Sequence, residues 1–130
     1  MLKLVRGLVP ILIVLMGATA MAESGPQGRW WQTPRIVKEL NLTPNEVRQL
    51  ETAWEHSRAK MIKLKSQVES EQFKLETLLE KRKLDEKAVR EQNRKLEAAR
   101  SRLAEERTAF VVEVRKIIGR DRFQRLADMR

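Results

Sequence analysis

TPNEVRQLETAWEHSRAKMIKLKSQVESEQFKLETLLE, residues 43–80, contains no Gly and a single Pro, at its second position. Thr43 can cap a helix, Pro44 suits the first helical position, and Glu46, three residues after Thr43, completes a capping box. Apolar residues then fall at Val47, Leu50, Trp54, Met61, Leu64, Val68, Leu75 and Leu78. Their spacing of three and four is a heptad seam, with Ser57 and Glu71 as polar exceptions. One long helix is predicted from 44 to about 80.

Downstream, Lys81-Arg82-Lys83-Leu84-Asp85 interrupts the pattern. Cations suit a helix C-terminus, and Asp85 can cap the next start. A second seam follows at Val89, Gln92, Leu96, Ala99, Leu103, Glu106, Phe110, Val114 and Ile117, which predicts a helix over 86–118. Gly119 supplies a stop, and Asp121 with Gln124 reads as a further capping box opening a last helix to 129. If the chain folds back near Arg82, one register satisfies both seams. Trp54 then meets Phe110, Met61 meets Leu103, Val68 meets Leu96 and Leu75 meets Val89, each pair of numbers summing to 164. Glu71 lands near Gln92, and Ser57 near Glu106 or Arg107. Such polar layers fix register at some cost in stability.

Upstream, Thr33-Pro34 repeats the helix-start signal and predicts a short helix over 34–40, broken at Asn41-Leu42. Residues 23–32, with Gly25-Pro26, Gly28 and Trp30-Trp31, read as a flexible lead-in whose tryptophans dock on the domain or on a neighbouring subunit. Residues 1–22 read as a secretory leader: Lys3 and Arg6, an apolar run from Leu8 to Met16, and Ala20-Met21-Ala22 as a cleavage site. The run is shorter than the ~20 apolar residues of a membrane span. Cleavage is therefore expected, with an uncleaved inner-membrane anchor as the alternative. The expected destination is a periplasm, so no nucleic-acid partner is expected.

The 130 residues hold 27 Lys and Arg against 18 Asp and Glu, one His and no Cys, for a net charge of +9. Aromatics make up only 5 % and charged residues 35 %. This suits charge-laced helices rather than a deep core with an enclosed cleft. Disulfides and Cys-based metal sites or nucleophiles are excluded, as is any site needing two histidines from one chain. There is no Gly-rich phosphate loop, no HExxH and no nucleophile–base arrangement. No residue is assigned a catalytic role, and no cofactor is required. The expected fold is all-α: a long antiparallel hairpin with short N- and C-terminal helices, spanning 33–130 as one domain. Two helices alone bury little, so a homodimer is expected.

The cations are not scattered. Arg58, Lys65, Arg100 and Arg107 fall at heptad e, and Lys60, Lys74, Lys95, Arg102 and Lys116 at g. In an antiparallel pair e faces e and g faces g, so both flanks set cation against cation. That arrangement invites an anionic partner. The alternative is a solvated face partly neutralised by pairs such as Glu91–Lys95. Ile62, Phe73, Leu79, Val111 and Val112 lie off the seam; Ile62 and Phe73, eleven apart, share a face. With the cations they would form a mixed basic and apolar surface that suits unfolded chains; a dimer interface is the alternative. His56 is expected to face solvent. As a divalent transition-metal ligand it would need Glu, Met or a second subunit's His56 beside it.

Leu42-Thr43-Pro44-Asn45-Glu46-Val47-Arg48-Gln49-Leu50 resembles the LTxxQ motif of the Spy/CpxP family, with Glu46 in place of the glutamine. A second copy would fall at Ile118-Gly119-Arg120-Asp121-Arg122-Phe123-Gln124-Arg125-Leu126, keeping the hydrophobic frame without the Thr, Pro and Gln. The resemblance implies a periplasmic hooked-hairpin dimer. It implies an ATP-independent chaperone for unfolded periplasmic proteins, or an adaptor that restrains a membrane stress sensor. Related members of the fold bind heavy metals through several His, Glu, Met or Cys. The residues expected to hold clients are Arg58, Lys65, Arg100 and Arg107, with Ile62 and Phe73 as apolar contacts. A metal sensor using His56 and a structural coiled-coil adaptor are the alternatives.

Overall fold

The computed structural model describes residues 28–129, so the expected leader and the first part of the lead-in lie outside the described residues. Every regular element among the described residues is helical. The described residues divide into two compact units, the first ending at Asn41 and the second spanning Leu42–Met129.

The first unit contains a 3-10 turn, Trp30–Gln32, and helix α1, Pro34–Glu39. The lead-in expected to be flexible to residue 32 is therefore ordered from Trp30 onward. Gln32 N donates to Arg29 O at 2.8 Å and Thr33 N to Trp30 O at 3.0 Å. The two indoles meet edge-on, with ring centroids 5.3 Å apart and Trp31 buried. Thr33 has the extended backbone of a cap and Pro34 opens the helix, but the threonine hydroxyl makes no capping bond. Asn41 ends the unit with φ 53°, the left-handed conformation that Asn tolerates better than most residues.

The second unit holds α2, Pro44–Glu80, α3, Glu86–Ile118, and α4, Arg120–Asp128. Helices α2 and α3 pack against each other as the expected hairpin. The capping box forms in full: Glu46 N donates to Thr43 Oγ1 at 3.1 Å, and Thr43 N to Glu46 Oε1 at 3.0 Å. At the turn, the Asp85 carboxylate accepts from Ala88 N at 3.1 Å and starts α3. The register is the one that satisfies both seams. Trp54 and Phe110 meet edge to face, centroids 5.4 Å apart. In the predicted polar layer, Gln92 Nε2 donates to Glu71 O at 2.9 Å and to Glu71 Oε2 at 2.6 Å.

The core is thin and lopsided. Gln92, Leu96, Ala99, Leu103, Val114 and Ile118 are buried on α3, but only Leu50 and Ser57 on α2. The remaining α2 seam residues are half-buried, as expected where a helix pair leaves both outer sides in water.

Ser57 is 4 % exposed and its hydroxyl finds no hydrogen-bond partner among the described residues. Desolvating an unpaired hydroxyl costs about 1–3 kcal/mol. Ser57→Ala should therefore leave thermal stability unchanged or raise it by up to about 1 kcal/mol in urea unfolding. A clear loss would show that the hydroxyl is held by a partner.

One predicted cap fails. Helix α4 begins at Arg120, with Gly119 as its N-cap and also as the C-cap of α3. Gly119 sits at φ 81°, open to glycine and strained for other residues. Its N–H donates to Arg115 O and its carbonyl accepts from Phe123 N, both at 3.0 Å. Asp121 therefore lies inside the first turn. Gln124 reaches forward to Asp128 Oδ1, at 3.3 Å, rather than back to a cap.

Candidate functional site

The motif at the start of α2 meets the last helix. Leu42 is buried, Pro44 opens α2, and Glu46 spends one carboxylate oxygen on the Thr43 N–H. The same carboxylate receives two bonds from the Arg122 guanidinium. Nη1 reaches Oε1 at 2.9 Å, and Nη2 pairs with Oε2. Arg122 Nε donates to Ile118 O at 2.8 Å, so this one side chain ties the end of α3, the corner at Gly119 and the start of α2. Both partners are mostly shielded, with side-chain exposures of 23 % and 17 %. The bonds from Arg122 outweigh burial and, helped by the Thr43 bonds, pull the Glu46 carboxyl from 4.5 down to about 2. Sequence reading places Glu46 in a capping box but misses this link. The available signal is that Glu46 and Arg122 occupy the same position of the two motif copies with opposite charge.

The flank carrying the predicted client-binding residues is built from both long helices. Ile62 is 58 % exposed and lies one turn from Arg58 and Lys65 on α2, a basic and apolar stripe. The seam register puts Arg107 across from Arg58 and Arg100 across from Lys65. Phe73 is 69 % exposed but stands about 16 Å further along α2, one turn from Glu69 and Glu76. The expected mixed basic and apolar surface is thus basic around Ile62, while Phe73 has acidic neighbours. The cations are also partly neutralised: Arg100 Nη1 bonds Glu97 at 2.7 Å, and Lys65 and Arg107 make interactions within the chain. Arg58 is exposed, with no ion pair among the described residues.

On the opposite flank Lys116 pairs with Glu113 and Lys74 with Glu71, each at 3.3 Å. The expected Glu91–Lys95 pair does not form; Lys95 instead adds its field to Glu71. The Gln92 bond, with the Lys74 and Lys95 charges, holds the Glu71 carboxyl below its usual range.

His56 is exposed on this second flank, in an open groove shared with Ser57, Glu106, Phe110 and Glu113. Among the described residues no group of three or more His, Asp or Glu is placed to hold a metal ion. A metal shell drawn from the described residues of a single copy does not fit these side chains. No helix among the described residues is long and apolar enough to cross a membrane.

The geometry defines a class: an exposed helical hairpin, capped by a threonine–proline motif and closed at its open end by a short hooked helix. Within that class, the heavy-metal resistance family matches residues 8–125, and the chain belongs to that family. Comparison with curated proteins and with solved structures finds no match.

Proposed function

We propose that this is an exported, ATP-independent chaperone or envelope-stress adaptor, which holds unfolded proteins on the α2–α3 flank. The observation that carries this reading is the Arg58–Ile62–Lys65 stripe. A bulky apolar side chain is held in water between cations on a rigid helix. Long-range charge gathers a chain of opposite sign, and shallow apolar contact then holds it loosely. Arg100 and Arg107 extend the field from the facing helix, and Phe73 offers a second apolar contact with acidic neighbours. The periplasm is the proposed compartment. A homodimer would cover part of the thin core, and a membrane stress sensor is a further partner on this reading.

Changing Arg58, Lys65, Arg100 and Arg107 together to Glu should abolish suppression of aggregation of a reduced, unfolding client assayed without ATP. Helicity by circular dichroism should be retained. Wild-type suppression should weaken as salt rises past the point where screening falls below about 10 Å. Undiminished suppression by the four-fold variant would refute the flank assignment.

A second reading, a metal sensor or resistance protein, is supported by the family's description. On this chain it requires ligands from a second copy beside His56. Calorimetric titration with zinc, nickel and copper tests it. Binding that is lost in His56→Ala would favour it; no heat in either protein would remove it. A coiled-coil adaptor would show neither client nor metal binding.

A further inference from the structure

The hairpin tip carries chemistry that neither the seam nor the client flank uses. Between Glu80, the last residue of α2, and Glu86, the first of α3, the chain turns through Lys81, Arg82, Lys83, Leu84 and Asp85. Three adjacent cations in a tight turn repel one another, and their neighbouring acids are largely committed. Asp85 caps α3 through Ala88 N, and Glu86 pairs with Arg90 at 3.6 Å. Lys81, Arg82, Lys83 and Lys87 are all exposed and have no ion pair among the described residues, with Glu80 an uncommitted acid nearby. Two leucines stand in water among them, Leu84 at 57 % and Leu79 at 55 % exposure.

Cations following the last turn of α2 favour its C-terminal dipole, but that gain needs neither three of them nor the two exposed leucines. A turn between helices needs polar, small or cap-forming residues; Asp85 supplies the cap, and Leu84 fits none of these. The end of the hairpin is open to solvent and sets exposed leucines beside exposed cations, with only a shallow depression lined by Lys81, Lys83, Leu84, Asp85 and Glu86. Two separate leucines offer too little apolar area to seat another helix, whereas leucines beside unpaired cations match the boundary between lipid headgroups and acyl chains. There the cations meet phosphates and the leucines leave water.

We propose that the Leu79–Lys87 tip is a peripheral docking point for an anionic phospholipid surface. The contact is reversible, because few cations and two partly inserted leucines fall short of a stable anchor. It holds the hairpin end-on and leaves the α2–α3 flanks free.

The chain has no cysteine, so Leu79→Cys gives the full-length protein a single site for a polarity-sensitive fluorophore. The probe is titrated with vesicles of phosphatidylcholine alone and of phosphatidylcholine mixed with phosphatidylglycerol. The expected result is a blue shift with the mixed vesicles only, reversed by salt, and no shift from the same dye on Thr108→Cys. Each cation beside an anionic leaflet contributes roughly a five-fold factor in affinity. Lys81→Glu, Arg82→Glu and Lys83→Glu together should therefore weaken the midpoint by more than about 100-fold. Leu84→Ser should weaken it by about ten-fold. The matched reversal of Arg58, Lys65 and Arg107 should leave the midpoint within about three-fold, since those charges lie several Debye lengths away along the hairpin. Equal loss from either set of reversals would mean diffuse attraction to the whole surface, and would overturn the proposal. So would a shift at position 79 with neutral vesicles. Soluble polyglutamate shifting the probe as vesicles do, with Leu84→Ser harmless, would assign the tip to an acidic protein instead and overturn it too. Client suppression is measured separately and does not depend on the tip, so either idea can fail alone.

Discussion

Arg122→Ala should destabilise the second unit by about 2 kcal/mol, seen as a melting point roughly 10 °C lower. The estimate lies between an exposed pair, worth under about 1 kcal/mol, and a fully buried one, whose breakage costs about 3–5. Exposures of 23 % and 17 % for the two side chains place this pair between those limits. Glu46→Gln separates the roles. It keeps an oxygen for the Thr43 N–H but loses the charge that faces Arg122. The pH dependence has a definite sign. With its folded value near 2 against an ordinary 4.5, Glu46 contributes stability that is complete above pH 4.5 and lost as pH falls toward 2. Wild-type stability should decline across that window, and Glu46→Gln should show a shallower decline. Exchanging the charges, Glu46→Arg with Arg122→Glu, should recover only part of the loss, because an arginine cannot accept the Thr43 N–H. A loss under about 0.5 kcal/mol in Arg122→Ala would show that water screens the pair and that α4 is held by other contacts.

Leu96→Ala should be the most damaging single change in the seam, at about 3 kcal/mol in urea unfolding. Leu96 is 2 % exposed and lies opposite Val68 in the register. A removed side chain there leaves a cavity that two rigid helices cannot close by sliding, because the Gln92–Glu71 bonds one turn away fix the alignment. Domain stabilities run to only about 5–15 kcal/mol, so a core this thin has little reserve. Val111→Ala, at a position 48 % exposed on the same helix, should cost no more than about 0.5 kcal/mol. Similar losses at the two positions would mean that the outer face of α3 is covered in solution, as a dimer would cover it.

The long helices were legible because their signals are redundant. Pro44, Thr43 and Glu46 agree on the start of α2, Asp85 on the start of α3, and Gly119 on its end. The register was legible because a hairpin must match apolar to apolar and polar to polar at once. Trp54 with Phe110 and Glu71 with Gln92 leave one alignment. What failed was local and competitive. Asp121 has the right letter for a cap, but Gly119 had already turned the chain and α4 began before the aspartate could act. Thr33 has a cap's backbone without using its hydroxyl. The charge pattern misled in part, because heptad letters place Arg100 on a flank but do not say that Glu97, three residues earlier, holds it. Glu46 and Arg122, separated by 76 positions, could be joined only by knowing where the corner at Gly119 sends α4. His56 remained a single imidazole, and folding brought no cluster to it.

The corner at Gly119 also sets how the gene can change in length. A single residue, Gly119, separates α3 from α4, and within α4 the azimuth of each side chain is fixed by its distance from that corner. One inserted codon between Gly119 and Arg122 would turn the guanidinium through about 100° and carry it away from the carboxylate it grips. At the other end of the hairpin, the turn from Lys81 to Asp85 holds no such phase relation. The fold should therefore tolerate a change of length at the tip and not at the hook, so that any constraint on the length of the tip would come from docking rather than from folding.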